Sequence, residues 1–281
     1  MPSDQVIALL TDFGNQDPFV GIMKGVIANI APEAKFIDIT HNIPPGDIYR
    51  AAVMLWQSIP HFPPGSVFLT VVDPGVGSAR RGLIARSGDN IFVGPDNGVF
   101  TFALKGDITA WELSNPQFQL PDKGKTFHGR DVFAPAAAYA ANGIDGSRFG
   151  APLENLIELA SPKLILAENQ LNGEVLYSDQ FGNLLTSIGR FSQSGDRTFN
   201  FVPWIDHEKF DFNELALSMD RSHLSLPEGK TLVWVDTFAD LPDNDCGFLV
   251  GSSGLIEIVA NRNNAGKLLK LNSGAQITLN F

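Results

Sequence analysis

The stretch Val6-Ile7-Ala8-Leu9-Leu10-Thr11-Asp12-Phe13-Gly14 decides the fold: a short apolar strand runs into a polar turn that ends on glycine. Behind it Val20, Met23, Val26, Ile27 and Ile30 recur on one helical face, and Pro32 closes that helix. Phe36 to Ile39 reads as a second strand. The loop Thr40 to Gly46 follows, and Ile48, Ala51, Ala52, Leu55 and Ile59 trace a second helix that Asp47 is placed to cap. Pro60, Pro63 and Pro64 end it, and Ser66 to Val72 forms a third strand. This strand, helix, strand, helix, strand succession is the pattern of a parallel sheet with right-handed crossovers. In such open sheets ligands sit beyond the carboxyl ends of the strands. Those ends are Asp12, the 40–46 loop and Asp73, so three loops are expected to face one crevice.

After Arg81 the texture changes to hairpins. Gly82 to Arg86 and Ile91 to Val93 flank the turn Ser87-Gly88-Asp89-Asn90, and Gly94-Pro95-Asp96-Asn97-Gly98 makes another. Helical texture returns at Val132 to Ala141, and Leu153 to Leu171 reads as a connection between domains. Beyond it, short strands are punctuated by glycine, proline and asparagine: Glu174 to Ser178, Leu184 to Ile188, Thr198 to Val202, Thr231 to Val235 and Leu255 to Val259. The expectation is an α/β domain with a mainly parallel sheet over residues 1–160, then an all-β, barrel-like domain over 161–281.

The composition narrows the function classes. With 281 residues and 44% apolar content the chain can bury a sizeable core. Its 20 basic and 31 acidic residues give a net charge of -11, which opposes wrapping by nucleic acid or docking on an anionic membrane and favours small or cationic ligands. The single Cys246 allows no internal disulfide and no cysteine-built zinc site, and reads as a buried, inert thiol. Met1-Pro2-Ser3-Asp4-Gln5 lacks a basic region followed by an apolar signal core, and no apolar run approaches the ~20 residues that span a bilayer, so the expected location is the cytoplasm.

Two loops carry the chemistry. Phe127-His128-Gly129-Arg130-Asp131 sets a histidine, an arginine and a carboxylate in a glycine-softened turn before an alanine-rich helix. Val71-Val72-Asp73-Pro74-Gly75-Val76-Gly77-Ser78-Ala79-Arg80 ends an apolar strand on an acid, and a Pro/Gly turn then leads to an arginine. Asp73 alone could be a strand-ending turn; a guanidinium near it would hold it ionised and oriented. Arg81 reads as a solvated neighbour. His41 and His61 in proline-rich loops, and His207 and His223 in polar surroundings, receive no chemistry. Thr11-Asp12-Phe13-Gly14 contains the Asp-Phe-Gly of protein kinases, but no glycine-rich phosphate loop or His-Arg-Asp catalytic loop accompanies it. Asp12 instead suits the two hydroxyls of a ribose, or a turn or capping role, since a carboxylate accepts several hydrogen bonds. Asp179-Gln180-Phe181-Gly182-Asn183 is a hairpin turn, or a holder for an ammonium group and a base. Gly251-Ser252-Ser253-Gly254 offers backbone donors weakly.

Taken in order, Thr11-Asp12-Phe13-Gly14, Thr40-His41-Asn42-Ile43-Pro44-Pro45-Gly46-Asp47, Val72-Asp73-Pro74-Gly75-Val76-Gly77, Gly94-Pro95-Asp96-Asn97-Gly98, Thr126-Phe127-His128-Gly129-Arg130-Asp131 and Phe181-Gly182-Asn183 span nearly the whole chain. In these motifs it resembles the S-adenosyl-L-methionine hydroxide adenosyltransferases, relatives of the enzymes that fluorinate and chlorinate the same substrate. The resemblance implies a homotrimer whose sites lie between the N-terminal domain of one subunit and the C-terminal domain of the next. It also implies hydrolysis of S-adenosyl-L-methionine to adenosine and methionine, with no cofactor and no metal. It puts the Asp, Arg and His set on Asp73, Arg80 and His128 and the ribose contact on Asp12. Asp179, Phe181, Asn183, Ser187, Ser252 and Ser253 become the remaining substrate contacts. Gly251 stands where relatives often carry asparagine, and Ser253 where halogenating relatives place arginine, which leaves Ser252, Ser253 and Asn261 open.

Halogenating relatives carry tyrosine at the position of Asp73 and no histidine at that of His128. An acid there would repel a halide already stripped of its hydration shell, so water is the expected nucleophile. It attacks the ribose 5′ carbon in line, with His128 or Asp73 taking the proton and Arg80 orienting Asp73. The rival readings are a metal-dependent hydrolase with Asp12, Asp73 and His128 as ligands, a halogenase, and a nucleoside sensor without turnover.

Overall fold

The computed structural model describes residues 5–205 and 215–281; Met1 to Asp4 and His207 lie outside them. The chain divides into two compact units, one running to Leu159 and the other starting at Ala160.

In the first unit, strands β1 (Val6–Thr11), β2 (Lys35–Thr40), β3 (Val67–Val71), β4 (Gly82–Ser87), β5 (Asn90–Pro95) and β6 (Ile108–Glu112) form one sheet in the order β2-β1-β3-β5-β4-β6. The β2-β1-β3-β5 half is parallel, and β4 and β6 add antiparallel. The apolar alternation of β1 and β3 explains the layers. Ile7, Leu9, Val67 and Leu69 face α1 (Phe19–Ile30) and α3 (Ala134–Ala141), while Ala8, Leu10 and Phe68 face α2 (Ile48–Ser58). With both faces covered, these strands bury every side chain, and each large one contributes roughly 1.5–3 kcal/mol. Asp47 caps α2 as expected, accepting from the Arg50 N–H.

Two expectations are corrected and one further strand is found. The 132–141 helix is a π turn, Gly129–Phe133, followed by α3, because Pro135 has no N–H to continue a regular ladder. The 153–171 segment is not a plain connection: Leu153 and Leu156 pack on the first core, and β7 (Leu164–Ala167) already belongs to the second unit. Strand β6 goes unread because only its central residue is buried, so it shows no period-2 alternation.

In the second unit β7 pairs with β8 (Gln170–Ser178), and a largely antiparallel sheet runs β14-β13-β17-β8-β9-β16-β15. Here β9 is Leu184–Gly189, β13 His223–Ser225, β14 Thr231–Val233, β15 Cys246–Val250, β16 Leu255–Ala260 and β17 Gln276–Asn280. A bridge from Trp234 to Phe248 nearly closes the two ends into a barrel. Strands β10 (Phe191–Gly195), β11 (Thr198–Phe201) and β12 (Leu215–Ser218) make a separate three-stranded sheet. The expected two-part architecture, mainly parallel α/β followed by a barrel-like β unit, is the observed one. No helix among the described residues is long and apolar enough to cross a membrane.

Candidate active site

Asp73 stands directly beyond β3, and the tight turn after it brings Arg80 back onto its carboxylate. Arg80 Nε donates to Asp73 Oδ1 at 2.9 Å, and Arg80 Nη2 donates to Oδ2, a two-pronged grip that fixes both groups. The same Nη2 lies 2.9 Å from His128 Nδ1, and the guanidinium carbon sits 5.1 Å from the centre of the buried Phe133 ring. A guanidinium has donors only, so Nδ1 of His128 is the acceptor and neutral His128 carries its proton on Nε2. Burial, and then the positive charge of Arg80, depress the His128 pKa below its ordinary value, which keeps the ring neutral.

Sequence turns into geometry here through Gly77. Its φ of +79° is natural only for glycine, and a Cβ would meet the Lys125 carbonyl oxygen at 2.6 Å. The Asp73 turn therefore packs directly on the loop that delivers His128. From the turn beyond β5, the Asn97 amide donates to the Val72 carbonyl at 2.9 Å, anchoring the residue before Asp73.

At the end of β1, Asp12 accepts from the Gly46 N–H at 2.8 Å, joining the first loop to the 40–46 loop. Burial raises the Asp12 pKa despite this bond, and the Asp73 charge adds to the effect. Behind Asp12 lies an unforeseen brace. His41 is buried, pairs through Nδ1 with Thr11 Oγ1 at 2.9 Å, and presents Nε2 to Asp38 Oδ1 at 3.1 Å. Burial alone would raise Asp38, but hydrogen bonds from Lys24 and His41 outweigh it and lower its pKa.

Asp73 and His128 open onto a cavity of about 450 Å³. Its apolar walls are Phe13, Phe19, Val71, Val76 and Phe127, and Arg130 stands at its polar side. Arg130 and Asp131, which the sequence groups with His128, serve each other instead. Asp131 is fully buried and accepts from Arg130 Nε at 2.5 Å and from the Gly124 N–H at 2.8 Å, closing the 124–131 loop. Arg81 is not a solvated neighbour: it pairs with the buried Asp96, whose other oxygen accepts from the Ile157 N–H at 2.9 Å. His61 and His223 are exposed.

The remaining positions lie in the second unit. Asp179 accepts from the N–H groups of Phe181 and Asn183 at 2.9 and 2.8 Å and from the Asn183 amide at 3.0 Å, so its turn is self-supported, and Phe181 stands 71% exposed above it. Glu257, unmarked by any sequence motif, lies against Gly251, where a Cβ would meet its carboxyl oxygen at 1.8 Å. Burial, with the Asp179 charge adding, raises its pKa. Ser252 is exposed, while Ser253 Oγ is buried without a partner among the described residues. Ser187 departs from expectation: it is fully buried, accepts from the Glu174 N–H at 2.8 Å and donates to the Lys163 carbonyl at 2.5 Å, so its hydroxyl is committed to the fold. The Asn261 amide is likewise spent on the Leu241 carbonyl at 2.7 Å. Cys246 is only partly buried; burial, with Asp245 adding, raises its thiol pKa and keeps it unreactive.

A mainly parallel α/β sheet with an acid, an arginine and a histidine gathered beyond its strands, followed by a barrel-like β unit, defines a two-unit α/β-plus-β class of protein with its candidate site at the strand ends. The chain belongs to the SAM hydroxide adenosyltransferase family, whose N-terminal domain matches residues 7–150 and whose C-terminal domain matches 173–278. It is 37% identical to the (R)-S-adenosyl-L-methionine hydrolase of Thermus thermophilus, over 97% of this chain and 98% of that one. A fluorinase of an Actinoplanes species is more distant, 28% identical over 66% of this chain and 72% of its own length. A solved structure of an uncharacterized conserved protein from Thermotoga maritima superposes with a TM-score of 0.82 at 30% identity, covering 98% of this chain and all of that one.

Proposed function

We propose that the protein hydrolyses S-adenosyl-L-methionine to adenosine and L-methionine. The observation that carries the reading is the Arg80-centred cluster, in which one guanidinium holds both the Asp73 carboxylate and the His128 ring beside an open cavity. Full-length likeness to hydrolases, against partial likeness to fluorinases, supports water over halide as the nucleophile.

In this mechanism the ribose lies with its hydroxyls on Asp12 and its 5′ carbon toward the cluster. A water oxygen accepts from His128 Nε2–H and gives its proton to the Asp73 carboxylate. As the new C–O bond forms, the C5′–S bond breaks and its electron pair stays on sulfur, turning a cationic sulfonium into a neutral thioether. The leaving group needs no proton, so the protein's work is positioning and base catalysis, the latter worth on the order of 10² to 10⁴ in rate. Asp73 and His128 both bond Arg80, which occupies the place a metal would take between them and disfavours a shared metal-ligand role for that pair. On the family resemblance the working form is a cytoplasmic homotrimer without cofactor. In it the 161–281 unit of a neighbouring copy completes the site, Asp179, Phe181 and Asn183 holding the methionine or adenine end and Ser252 and Ser253 adding donors.

The test is chromatography of S-adenosyl-L-methionine incubated with the protein in EDTA, with and without chloride. Adenosine and methionine, indifferent to both additions and largely lost in His128→Ala, support the reading. A 5′-chloro nucleoside would replace it with a halogenase, and binding without product with a sensor.

A further inference from the structure

Three phenyl rings stand beside the Asp73-Arg80-His128 cluster, and the proton chemistry uses none of them. Phe13 comes from the turn after β1, Phe19 from the start of α1 and Phe127 from the loop before the π turn. They pack edge to face, with centroids 5.8 Å apart for Phe13 and Phe19, 5.9 Å for Phe13 and Phe127, and 5.3 Å for Phe19 and Phe127. All three line the cavity, and Phe19 is 41% exposed.

The charges around this cavity are already spoken for. Asp73 is paired with Arg80, Arg130 with Asp131, and burial keeps His128 neutral. A cation entering the cavity therefore meets no unpaired carboxylate among its lining residues. What remains to favour positive charge is the electron-rich face of an aromatic ring. Phe127 already serves one cation in this way, with the Arg130 guanidinium 5.3 Å from its centroid, which leaves Phe13 and Phe19 for another.

We propose that Phe13 and Phe19, backed by Phe127, hold the sulfonium centre of the substrate and select a cationic sulfonium nucleoside over a neutral thioether nucleoside. This rests on the functional reading above and sharpens its substrate class. Because the charge on sulfur vanishes as the C5′–S bond breaks, the attraction belongs to the bound substrate and fades toward products. Its loss therefore raises KM without lowering kcat, and raises kcat to the extent that the attraction has faded by the transition state.

The experiment uses the full chain and two ligands that do not turn over: S-adenosylhomocysteine, a neutral thioether, and the aza analogue of S-adenosylmethionine, in which a protonated methylamine replaces the sulfonium. Phe19→Leu keeps apolar volume but removes the ring, and Phe19→Tyr restores it. In Phe19→Leu the aza analogue should bind about 2- to 30-fold more weakly. The thioether should be unaffected, Phe19→Tyr should recover wild-type selectivity, and KM for S-adenosylmethionine should rise without a matching fall in kcat. Equal weakening of both ligands would mean that the wall is plain apolar packing and would overturn the proposal, as would an unchanged ratio or failure of the wild type to bind either analogue. Failure of the wild type to release adenosine would instead sink the functional reading, since the affinities are measured without turnover.

Discussion

Arg80 Nη2 donates to His128 Nδ1 at 2.9 Å, and that one bond sets the tautomer of the histidine. With Nδ1 occupied as an acceptor, neutral His128 faces a ligand as an Nε2–H donor, and the lone pairs available for a proton belong to Asp73. The sequence leaves these two roles open, and the direction of the Arg80 bond supports Asp73 as the base in the proposed mechanism.

The pH dependence follows. Burial and the Arg80 charge lower the His128 pKa from its ordinary 6.5, so the ring stays neutral at and somewhat below that pH. As pH falls through the depressed value, protonated Nδ1 can no longer accept from Arg80 and activity should drop. A kcat/KM profile should thus show its acid limb below 6.5, absent or moved in His128→Gln; a limb above 6.5 that survives in the variant would contradict the assignment. The same shift has a stability side. The unfolded chain takes up this proton at higher pH than the folded one, so the contribution of His128 is intact above 6.5 and declines as pH falls below it.

Arg80→Lys tests the fork. A lysine supplies one charge but cannot grip both Asp73 oxygens and His128 at once. We expect kcat to fall about 10- to 1000-fold, with the circular dichroism spectrum unchanged. Near-wild-type turnover would show that charge alone suffices.

Gly77→Ala tests the close approach of the two loops. The left-handed φ and the Lys125 carbonyl at 2.6 Å both oppose a Cβ. A stability loss of about 1–3 kcal/mol in urea unfolding is expected, together with a kcat loss as Asp73 and His128 separate. A stable, fully active variant would mean that the loops do not need this contact.

Asn97→Ala removes the amide that holds the Val72 carbonyl. The expected cost is about 1 kcal/mol of stability, with a fall in kcat larger than any change in KM, because Asn97 acts through the placement of Asp73. A pure KM effect would argue for direct substrate contact instead.

Much of this was legible in the chain. The apolar strands before Asp12 and Asp73 and the amphipathic α1 and α2 announce a parallel sheet, because both faces of those strands must be buried. Asp73, Arg80 and His128 stand out as polar groups in glycine-softened turns at strand and helix ends. What stayed hidden depends on direction rather than identity. Arg80 and Arg81 are adjacent, yet one turns to Asp73 and the other to Asp96. His41 looks like a loop histidine and is a buried brace, because Thr11 and Asp38, which face its two ring nitrogens, come from the adjacent strands β1 and β2. Glu257 is invisible for a similar reason: only the fold sets it against Gly251.

The most direct measurement is turnover of S-adenosyl-L-methionine in water enriched in oxygen-18, followed by mass spectrometry of both products. In-line attack of water at the ribose 5′ carbon predicts heavy oxygen in the 5′-hydroxyl of adenosine and none in methionine. Label in methionine, or adenosine released without label, would place bond making elsewhere and contradict the role given to Asp73, Arg80 and His128.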